Sequence, residues 1–192
     1  MKKILAFTLI LFSTISNINA EEIKRIFVGN KDAKITIIAF ESLTCSHCAN
    51  FHKDVYPELK KNYLDTGLAK IEFRHFPLDI AAFNASKVAQ CNNDGDSKIL
   101  NSLFANQQKW VKGSSVAEAN ENLKKFLTSE GFNVDFDACI NDKKIEDFVL
   151  NDRIDGVKKF KVNATPTIII NDKKFEKTLN FKNLKKAIEK LI

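Results

Sequence analysis

Cysteine is scarce in this sequence, and the positions of its few cysteines restrict the chemistry they can support. Of the 192 residues only four are cysteines, namely Cys45, Cys48, Cys91 and Cys139. A zinc site built on a C-x-x-C pair needs a second close pair of Cys or His ligands. Because Cys91 and Cys139 lie far apart in the sequence, the spacing does not favour zinc.

Long apolar runs are missing beyond the amino terminus. After residue 20 no stretch of the sequence approaches the roughly 18 consecutive apolar residues that indicate a transmembrane helix. Internal repeats and low-complexity linkers are absent as well. With 44% hydrophobic and 28% charged residues, the composition is typical of a folded globular chain. The length fits one domain, or one domain that carries an insertion.

The sequence shows no basic cluster of the kind that binds nucleic acid. The formal charge is +6, from 30 Lys and Arg against 24 Asp and Glu, and two of these lysines, Lys2 and Lys3, belong to the amino-terminal segment. The lysines are scattered among acidic residues rather than grouped with aromatic ones. We therefore expect a solvated surface of mixed charge and no nucleic-acid partner.

The first 20 residues have the three parts of a secretory signal peptide. Met1 to Lys3 is positively charged, Ile4 to Phe12 is apolar but too short to span a bilayer, and the segment ends on the small residue Ala20. We expect cleavage before residue 21 and export to an oxidising compartment. Because no cysteine follows the apolar core to carry a lipid anchor, and no later segment is long enough to span a bilayer, we expect no stable membrane insertion. In that oxidising compartment the four cysteines are expected to form two disulfides and to bind neither metal nor cofactor.

Cys45 and Cys48 form a C-x-x-C pair between a predicted strand and a predicted helix. Ile35 to Phe40 is a β-rich apolar run, and apolar residues recur at helical spacing from Phe51 to Tyr63. Cys45 should therefore lie at a helix N-terminus, where unpaired N–H groups and the helix dipole favour a thiolate, and a protonated His47 would add positive charge. These features indicate redox chemistry with Cys45 as nucleophile and Cys48 as resolving cysteine. A purely structural short-loop disulfide is the alternative.

The remaining pattern predicts the order β-α-β, a helical block, then β-β-α. Strands are predicted at Ile23 to Val28, Ile35 to Phe40, Lys70 to Phe76 and Thr167 to Ile170, with a short strand at Phe175 and a closing helix from Phe181 to Ile192. Between residues 79 and 160 the apolar period is helical, with breaks at Gly95, Gly113 and Gly131. Pro57 should kink the helix after the C-x-x-C pair or end it one turn early.

This order, with a C-x-x-C pair after an early strand and a Thr-Pro pair before a late one, resembles the thioredoxin fold with a helical insertion, as in DsbA-type thiol–disulfide oxidoreductases. The most specific elements are Ser42 to His52, Phe76 to Asp79 and Thr165-Pro166. The resemblance implies an α/β fold in which helices flank a central mixed sheet. We accordingly expect a thioredoxin-like domain at residues 21–78 and 161–192 and an inserted all-helical block at residues 79–160.

The resemblance also assigns the principal site residues. In such proteins the first cysteine, here Cys45, attacks or is attacked, Cys48 resolves, and the peptide bond matching Thr165-Pro166 is cis. The dipeptide between the cysteines is often Pro-His in these oxidases, and here it is Ser46-His47. The histidine is thus retained, and Ser46 offers a hydroxyl in the first helical turn.

One acidic residue near the cysteines has two interpretations. Related oxidases often carry an acid on the strand where this chain has Ala39, and Glu41 lies two residues further on, hence on the same strand face. Glu41 is either a proton relay for Cys48 or a solvated carboxylate at the rim. His52, four residues after Cys48, is expected to be an ordinary helix-surface histidine, and His75 has no spaced metal-binding partner.

Together these residues predict a periplasmic thiol–disulfide oxidoreductase that donates its Cys45–Cys48 disulfide to folding exported proteins. The resemblance implies reoxidation by a membrane quinone-linked partner of the DsbB type, and we expect a monomer. Cys91 and Cys139 should form a second disulfide, since the other two connectivities would disable the active pair. The alternatives are an isomerase or reductase that keeps Cys45 reduced, and a thioredoxin-like binding module or metallochaperone without redox activity.

Overall fold

The computed structural model describes residues 22–192, so the predicted signal peptide lies outside the described residues. The strands are β1 (Ile26–Gly29), β2 (Ile35–Glu41), β3 (Ala69–His75), β4 (Thr167–Ile170) and β5 (Lys173–Lys174). They form one sheet in the order β1-β3-β2-β4-β5. β2 runs parallel to β3, and the other three neighbouring pairs are antiparallel. This mixed sheet confirms the α/β thioredoxin-like fold with an inserted run of helices.

β2 lies at the centre of the sheet and carries the chain into the site. Its β-branched and aromatic residues suit a strand that is covered on both faces. Ile35, Ile37 and Ala39 belong to the main core, whereas Ile38 and Phe40 face a smaller cluster on the opposite side. Because both faces are covered, the last residue of this strand also ends in the protein interior.

Nine α-helices lie within the described residues, in addition to two π-helical turns. They are α1 (Ser46–Asn50), α2 (Tyr56–Leu59), α3 (Ile80–Gln90), α4 (Lys98–Ala105), α5 (Gln107–Trp110), α6 (Val116–Ser129), α7 (Phe136–Asn141), α8 (Lys143–Phe160) and α9 (Phe181–Ile188). Between residues 22 and 192, no helix combines the length and the apolar character that a bilayer crossing requires.

The helix that follows the C-x-x-C pair does not end at Pro57. π-Helical turns at Phe51–Val55 and Lys60–Leu64 flank α2, so the helical run continues from Ser46 to Leu64. Pro57 lies in the first turn of α2. Because the helical run continues through Pro57, its missing N–H removes one hydrogen bond to the preceding turn, and the π-helical turn just before α2 adjusts the backbone at this point. A local change of helix type therefore replaces the predicted early end.

The helical block is closed by local caps and by a disulfide. Asp79 caps α3 by accepting a hydrogen bond from the Ala82 N–H, and Asp142 caps α8 in the same way. Cys91 and Cys139 form the expected disulfide, with 5.5 Å between their Cα atoms. This bond joins the end of α3 to α7 across 48 residues of sequence.

The carboxyl-terminal elements form the far edge of the sheet. Asn171 and Asp172 both have positive φ and make the tight turn between β4 and β5. The last short strand was predicted at Phe175, but it lies at Lys173–Lys174, and Phe175 only adds a hydrogen bond from its N–H to the Ile168 carbonyl oxygen (2.8 Å). α9 then packs back onto the core through Leu184 and Ile188 and ends four residues earlier than predicted.

Candidate active site

Cys45 is the residue that precedes α1, and the backbone around it is fixed at both ends. Its own N–H donates to the carbonyl oxygen of Ser42 (3.0 Å), and its carbonyl oxygen accepts from the N–H groups of Cys48 (3.1 Å) and Ala49 (3.2 Å). The backbone of Cys45 is extended, with φ −78° and ψ 119°, as is typical of an N-cap position. The sulfur consequently lies at the amino terminus of the helix, as the sequence predicts.

The two cysteines of the pair differ in exposure and in proton affinity. Both are free thiols, Cys45 half-buried and Cys48 fully buried. A hydrogen bond from the Cys48 thiol is the main reason that the pKa of Cys45 falls from 9.0 to about 5, and Thr165 and the first helical N–H groups lower it further against the cost of burial. Burial raises the pKa of Cys48, and the hydrogen bond to Cys45 and the nearby Glu41 carboxylate raise it further. At neutral pH Cys45 is thus a thiolate that is stabilised by a hydrogen bond from the thiol of Cys48.

The effect of His47 on Cys45 differs from the expectation. The sequence suggested that a protonated imidazole would stabilise the thiolate. In the structure the His47 side chain is exposed, and it is the backbone N–H of His47 that lowers the pKa of Cys45. Ser46 is also exposed, in the first turn of α1.

The loop before β4 closes the other side of the site. The Thr165–Pro166 peptide bond is cis, and Cys45 Sγ lies 3.4 Å from the Thr165 carbonyl oxygen, to which it donates a hydrogen bond only when the thiol is protonated. The Thr165 hydroxyl oxygen is buried and has no partner among the described residues, so it is free to donate to the thiolate. Thr165, Pro166, His47, Leu179 and Phe181 contribute to the wall of an open groove of about 520 Å³, which we call the cis-proline groove.

Glu41 is buried and paired, which excludes its interpretation as a solvated rim carboxylate. Only 4% of the residue is exposed, and its Oε2 lies 2.9 Å from Nε2 of His52. His52 is not the helix-surface residue that its position suggested, because its ring stacks on Phe104 of α4 with 4.1 Å between ring centroids. This pair therefore connects the end of β2, the helical run that begins at Ser46, and α4 of the helical block.

The environment of Glu41 favours its protonated form. Burial raises the pKa of Glu41, and the attraction and hydrogen bond of His52 partly oppose this shift. Its second oxygen, Oε1, is buried without a partner among residues 22–192. The carboxylate charge is one of the causes that raise the pKa of Cys48. The protonation of Glu41 and the pKa of Cys48 are therefore linked through the charge on Glu41.

Side chains from two other segments hold the active-site loop, although the sequence does not indicate these contacts. Gln107 of α5 donates from its side-chain amide to the carbonyl oxygens of Leu43 (2.7 Å) and Cys45 (3.0 Å). The Thr44 hydroxyl donates to the Asp79 carboxylate at 2.7 Å, so the cap of α3 also anchors the loop. Gln107 lies 62 residues from Cys45, and no local pattern indicates the contact.

A mixed sheet that carries a C-x-x-C pair at a helix N-terminus, with a cis-proline loop beside the first sulfur, defines a thioredoxin-like protein whose site is suited to thiol chemistry. Cys91 and Cys139 are joined to each other and are therefore unavailable as zinc ligands for that pair. The family model described as Thioredoxin matches residues 21–190, and the chain belongs to this family.

Solved structures that are similar to this chain include DsbA proteins. The crystal structure of Wolbachia pipientis alpha-DsbA1 matches with a TM-score of 0.76 and 30% sequence identity, over 87% of this chain and 90% of that chain. This similarity confirms the resemblance to DsbA-type proteins that the motifs around Cys45 and Thr165 indicated.

Curated relatives carry matching names but are longer. A Rickettsia bellii protein, provisionally named a protein-disulfide oxidoreductase, is 29% identical over 169 residues, which are 86% of this chain and 63% of that protein. Disulfide bond formation protein D of Bacillus subtilis is 26% identical over 85% of this chain and 75% of that protein. The chain thus spans somewhat less than two thirds of the length of the Rickettsia relative.

Proposed function

We propose that this chain is a periplasmic DsbA-type thiol–disulfide oxidoreductase that donates its Cys45–Cys48 disulfide to cysteine pairs of exported proteins. The observation that carries the proposal is the placement of Cys45. Its half-buried sulfur lies at the start of α1 and 3.4 Å from the Thr165 carbonyl oxygen, while Cys48 is fully buried behind it. Such a site stabilises a thiolate at Cys45 and protects the resolving sulfur.

The reaction is a two-step exchange. A substrate thiolate attacks Sγ of oxidised Cys45, a substrate–Cys45 mixed disulfide forms, and Cys48 leaves with the electron pair of the broken bond and takes up a proton. The second substrate thiolate then attacks the substrate sulfur of the mixed disulfide and releases Cys45 as a thiolate. The substrate dithiol has been oxidised and the Cys45–Cys48 disulfide has been reduced. A thiol with a low pKa is a better leaving group in disulfide exchange. The low pKa of Cys45 therefore favours the second step, in which Cys45 leaves.

The cis-proline groove supports binding of an extended substrate. The backbone of Thr165 lies directly beside Cys45, in the position where a substrate segment can pair with it as an added strand. The groove continues past Pro166 to Leu179 and Phe181, so an apolar substrate side chain next to the reacting cysteine has a surface to contact. Specificity would then come from backbone pairing and from apolar contact rather than from a deep pocket.

Turnover requires an oxidant that returns the pair to its disulfide. We assign this role to a membrane quinone-linked protein of the DsbB type, whose disulfide would accept the two electrons from Cys45 and Cys48. The predicted signal peptide at residues 1–20, which lies outside the described residues, supports export to the compartment where such partners act. The oxidised state that this partner regenerates is the one that donates.

Two assays on residues 21–192 test the proposal together. The oxidised protein should form a disulfide in a dithiol peptide, with one reduced Cys45–Cys48 pair released for each peptide disulfide. The Cys45→Ser variant should be inactive, and Cys91→Ser with Cys139→Ser is the matched control that removes two sulfurs away from the site. Reduction of insulin without peptide oxidation would favour the reductase alternative. Activity in neither assay would favour a binding module.

A further inference from the structure

The charge of the chain is unevenly divided between its two parts. Residues 158–192 contain ten Lys against three acidic residues, a net charge of +7. Residues 22–157 contain 18 Lys and Arg against 20 Asp and Glu, a net charge of −2. The expected surface of mixed charge is therefore found for residues 22–157, but residues 158–192 are strongly basic. All ten of these lysines are exposed.

Five of these ten lysines lie around one groove. β5 is the edge strand of the sheet, and the groove between β5 and the end of α9 has a volume of about 650 Å³. Five lysines line it, Lys173, Lys174, Lys177, Lys186 and Lys190, together with a single acidic residue, Glu176. We call this surface the lysine groove. Lys174 Nζ also donates to the Lys161 carbonyl oxygen (3.2 Å), so the basic surface continues toward the end of α8.

Lysines on an edge strand have a structural explanation, but it covers only part of the groove. Charged residues, lysine above all, prevent an exposed strand from pairing with another chain. This accounts for Lys173 and Lys174 on β5. It does not account for Lys177, which follows the strand, or for Lys186 and Lys190 on and just beyond α9. Lysines from three separate segments thus converge on one surface.

The floor of the groove is apolar. Ile170, Phe175, Ala187 and Leu191 line it between the lysines. Leu191 is 46% exposed and Ile192 is 69% exposed, so the apolar surface continues out of the groove at the carboxyl-terminal end of α9. Ile170 is buried and Phe175 and Ala187 are half-buried, so Leu191 is the exposed part of this floor. A rim of lysines around such an apolar surface can contact phosphate headgroups and the first acyl carbons beneath them at the same time.

We propose that the lysine groove docks this protein on the surface of an anionic phospholipid bilayer. The basic surface and the anionic headgroups are complementary in charge, and the apolar floor and Leu191 match the boundary of the acyl region. Residues 158–192 contain no Arg. A nucleic-acid site would be expected to use the planar, bidentate fork of arginine, whereas a diffuse field of headgroups is matched by lysine point charges.

Docking in this way bears on the proposed function without depending on it. Lys177 lines the lysine groove, and Leu179, two residues later, lines the cis-proline groove. A protein held by the first groove therefore keeps the second close to the bilayer, where a membrane-bound oxidant would be. Membrane binding itself needs neither cysteine, so its failure and the failure of the redox proposal can be told apart.

Vesicle sedimentation with residues 21–192, which contain the complete described fold, tests the proposal. The probes are vesicles of phosphatidylglycerol with phosphatidylcholine, and vesicles of phosphatidylcholine alone. We expect binding only to the first, and loss of this binding at high salt. Lys173→Gln, Lys177→Gln and Lys186→Gln together should weaken binding about 100-fold, because each lysine near an anionic surface contributes roughly five-fold. The side chains of these three lysines make no hydrogen bond or ion pair within residues 22–192.

The matched control removes the same charge from the helical block. Lys112→Gln, Lys125→Gln and Lys144→Gln change three exposed lysines of the other part of the chain, and this variant should bind within a few-fold of the unmodified protein. An unchanged ultraviolet titration of Cys45 verifies the fold of both variants. Equal loss in both variants would overturn the proposal in favour of a nonspecific net-charge effect. Absence of binding to anionic vesicles, or binding only to a DNA oligonucleotide at the same salt, would also overturn it.

Discussion

His52 Nε2 lies 2.9 Å from Glu41 Oε2, and both side chains are buried beside the reactive cysteines. This contact joins the last residue of the central strand to the active-site helix. Stacking of His52 on Phe104 extends the connection to the helical block. A buried carboxylate is costly unless it is paired and hydrogen-bonded, so His52 is the residue that makes Glu41 tolerable at this position.

Breaking this pair should destabilise the protein in a non-additive way. His52→Phe keeps an aromatic ring against Phe104 but removes the hydrogen bond to Glu41, which should cost about 2 kcal/mol of unfolding free energy. Glu41→Gln and the double variant complete a thermodynamic cycle in urea. The coupling energy should be about 1 kcal/mol or more, as for residues in direct contact. Strictly additive effects would show that the contact does not stabilise the fold.

Glu41 should also make stability depend on pH. Its pKa is raised above the ordinary value of 4.5, so its contribution is fully present below the unfolded pKa and is lost as pH rises through the folded pKa. Glutamine cannot titrate. The free energy of unfolding of the parent minus that of Glu41→Gln should therefore fall as pH rises above 4.5. The oxidised proteins are compared, because Cys45 does not titrate in the disulfide. A difference that is constant with pH would contradict the raised pKa.

The Thr165 hydroxyl should tune the reactive thiolate. Thr165→Val removes the buried hydroxyl that helps to lower the pKa of Cys45 and keeps the shape of the side chain, so the Cys45 pKa should rise and the fold should persist. Thr165→Ser keeps the hydroxyl and is the matched control. Ultraviolet absorbance of the thiolate against pH measures the shift. If valine and serine give the same titration midpoint, Thr165 acts only through its backbone and its packing.

The Cys91–Cys139 disulfide should stabilise the protein without taking part in exchange. It closes a loop of 48 residues, for which the chain-entropy model gives about 4 kcal/mol. The double variant Cys91→Ser with Cys139→Ser should unfold at a correspondingly lower urea concentration and retain a Cys45 thiolate. Peptide mapping without reductant should recover the linked pair from the oxidised protein. Free thiols at both positions would contradict this assignment.

The parts of the site that depend on local sequence pattern could be predicted from the sequence. The apolar run of β2 followed by helical spacing places Cys45 at a helix N-terminus, and the strand after Thr165-Pro166 brings the second loop to the same edge of the sheet. The burial of Glu41, in contrast, arises because other segments pack on both faces of β2. That coverage comes from distant segments, which the spacing along one strand does not reveal.

Long-range packing also explains why the burial of His52 and the contact of Gln107 differ from what the sequence indicates. His52 is buried because Phe104 of α4 lies against it, and Gln107 reaches the active-site loop from 62 residues away. His47 differs for a local reason. The sequence indicates its ionisable ring, and the lowered pKa of Cys45 was therefore attributed to the charge of that ring. The backbone N–H groups of a helix N-terminus have the same effect whatever the side chain, and they account for the contribution of His47.

The depressed pKa of Cys45 should make the reduced form the more stable one near neutral pH. A thiolate held in the folded state contributes stability that is fully present above its unfolded pKa, here 9.0, and that is lost as pH falls through about 5. Reduced protein should thus unfold at a higher denaturant concentration than oxidised protein at pH 7, and the gap should shrink in acid. His47→Ala should leave this behaviour largely unchanged, because the backbone N–H remains.

The most direct test of the account is the titration of the reduced protein by ultraviolet thiolate absorbance. Burial raises the pKa of Cys48 and keeps that thiol protonated, so the signal below pH 9.0 belongs to Cys45 alone. We predict a single midpoint near pH 5. A midpoint near the ordinary thiol value of 9.0 would contradict the stabilised thiolate on which the proposed disulfide donation rests.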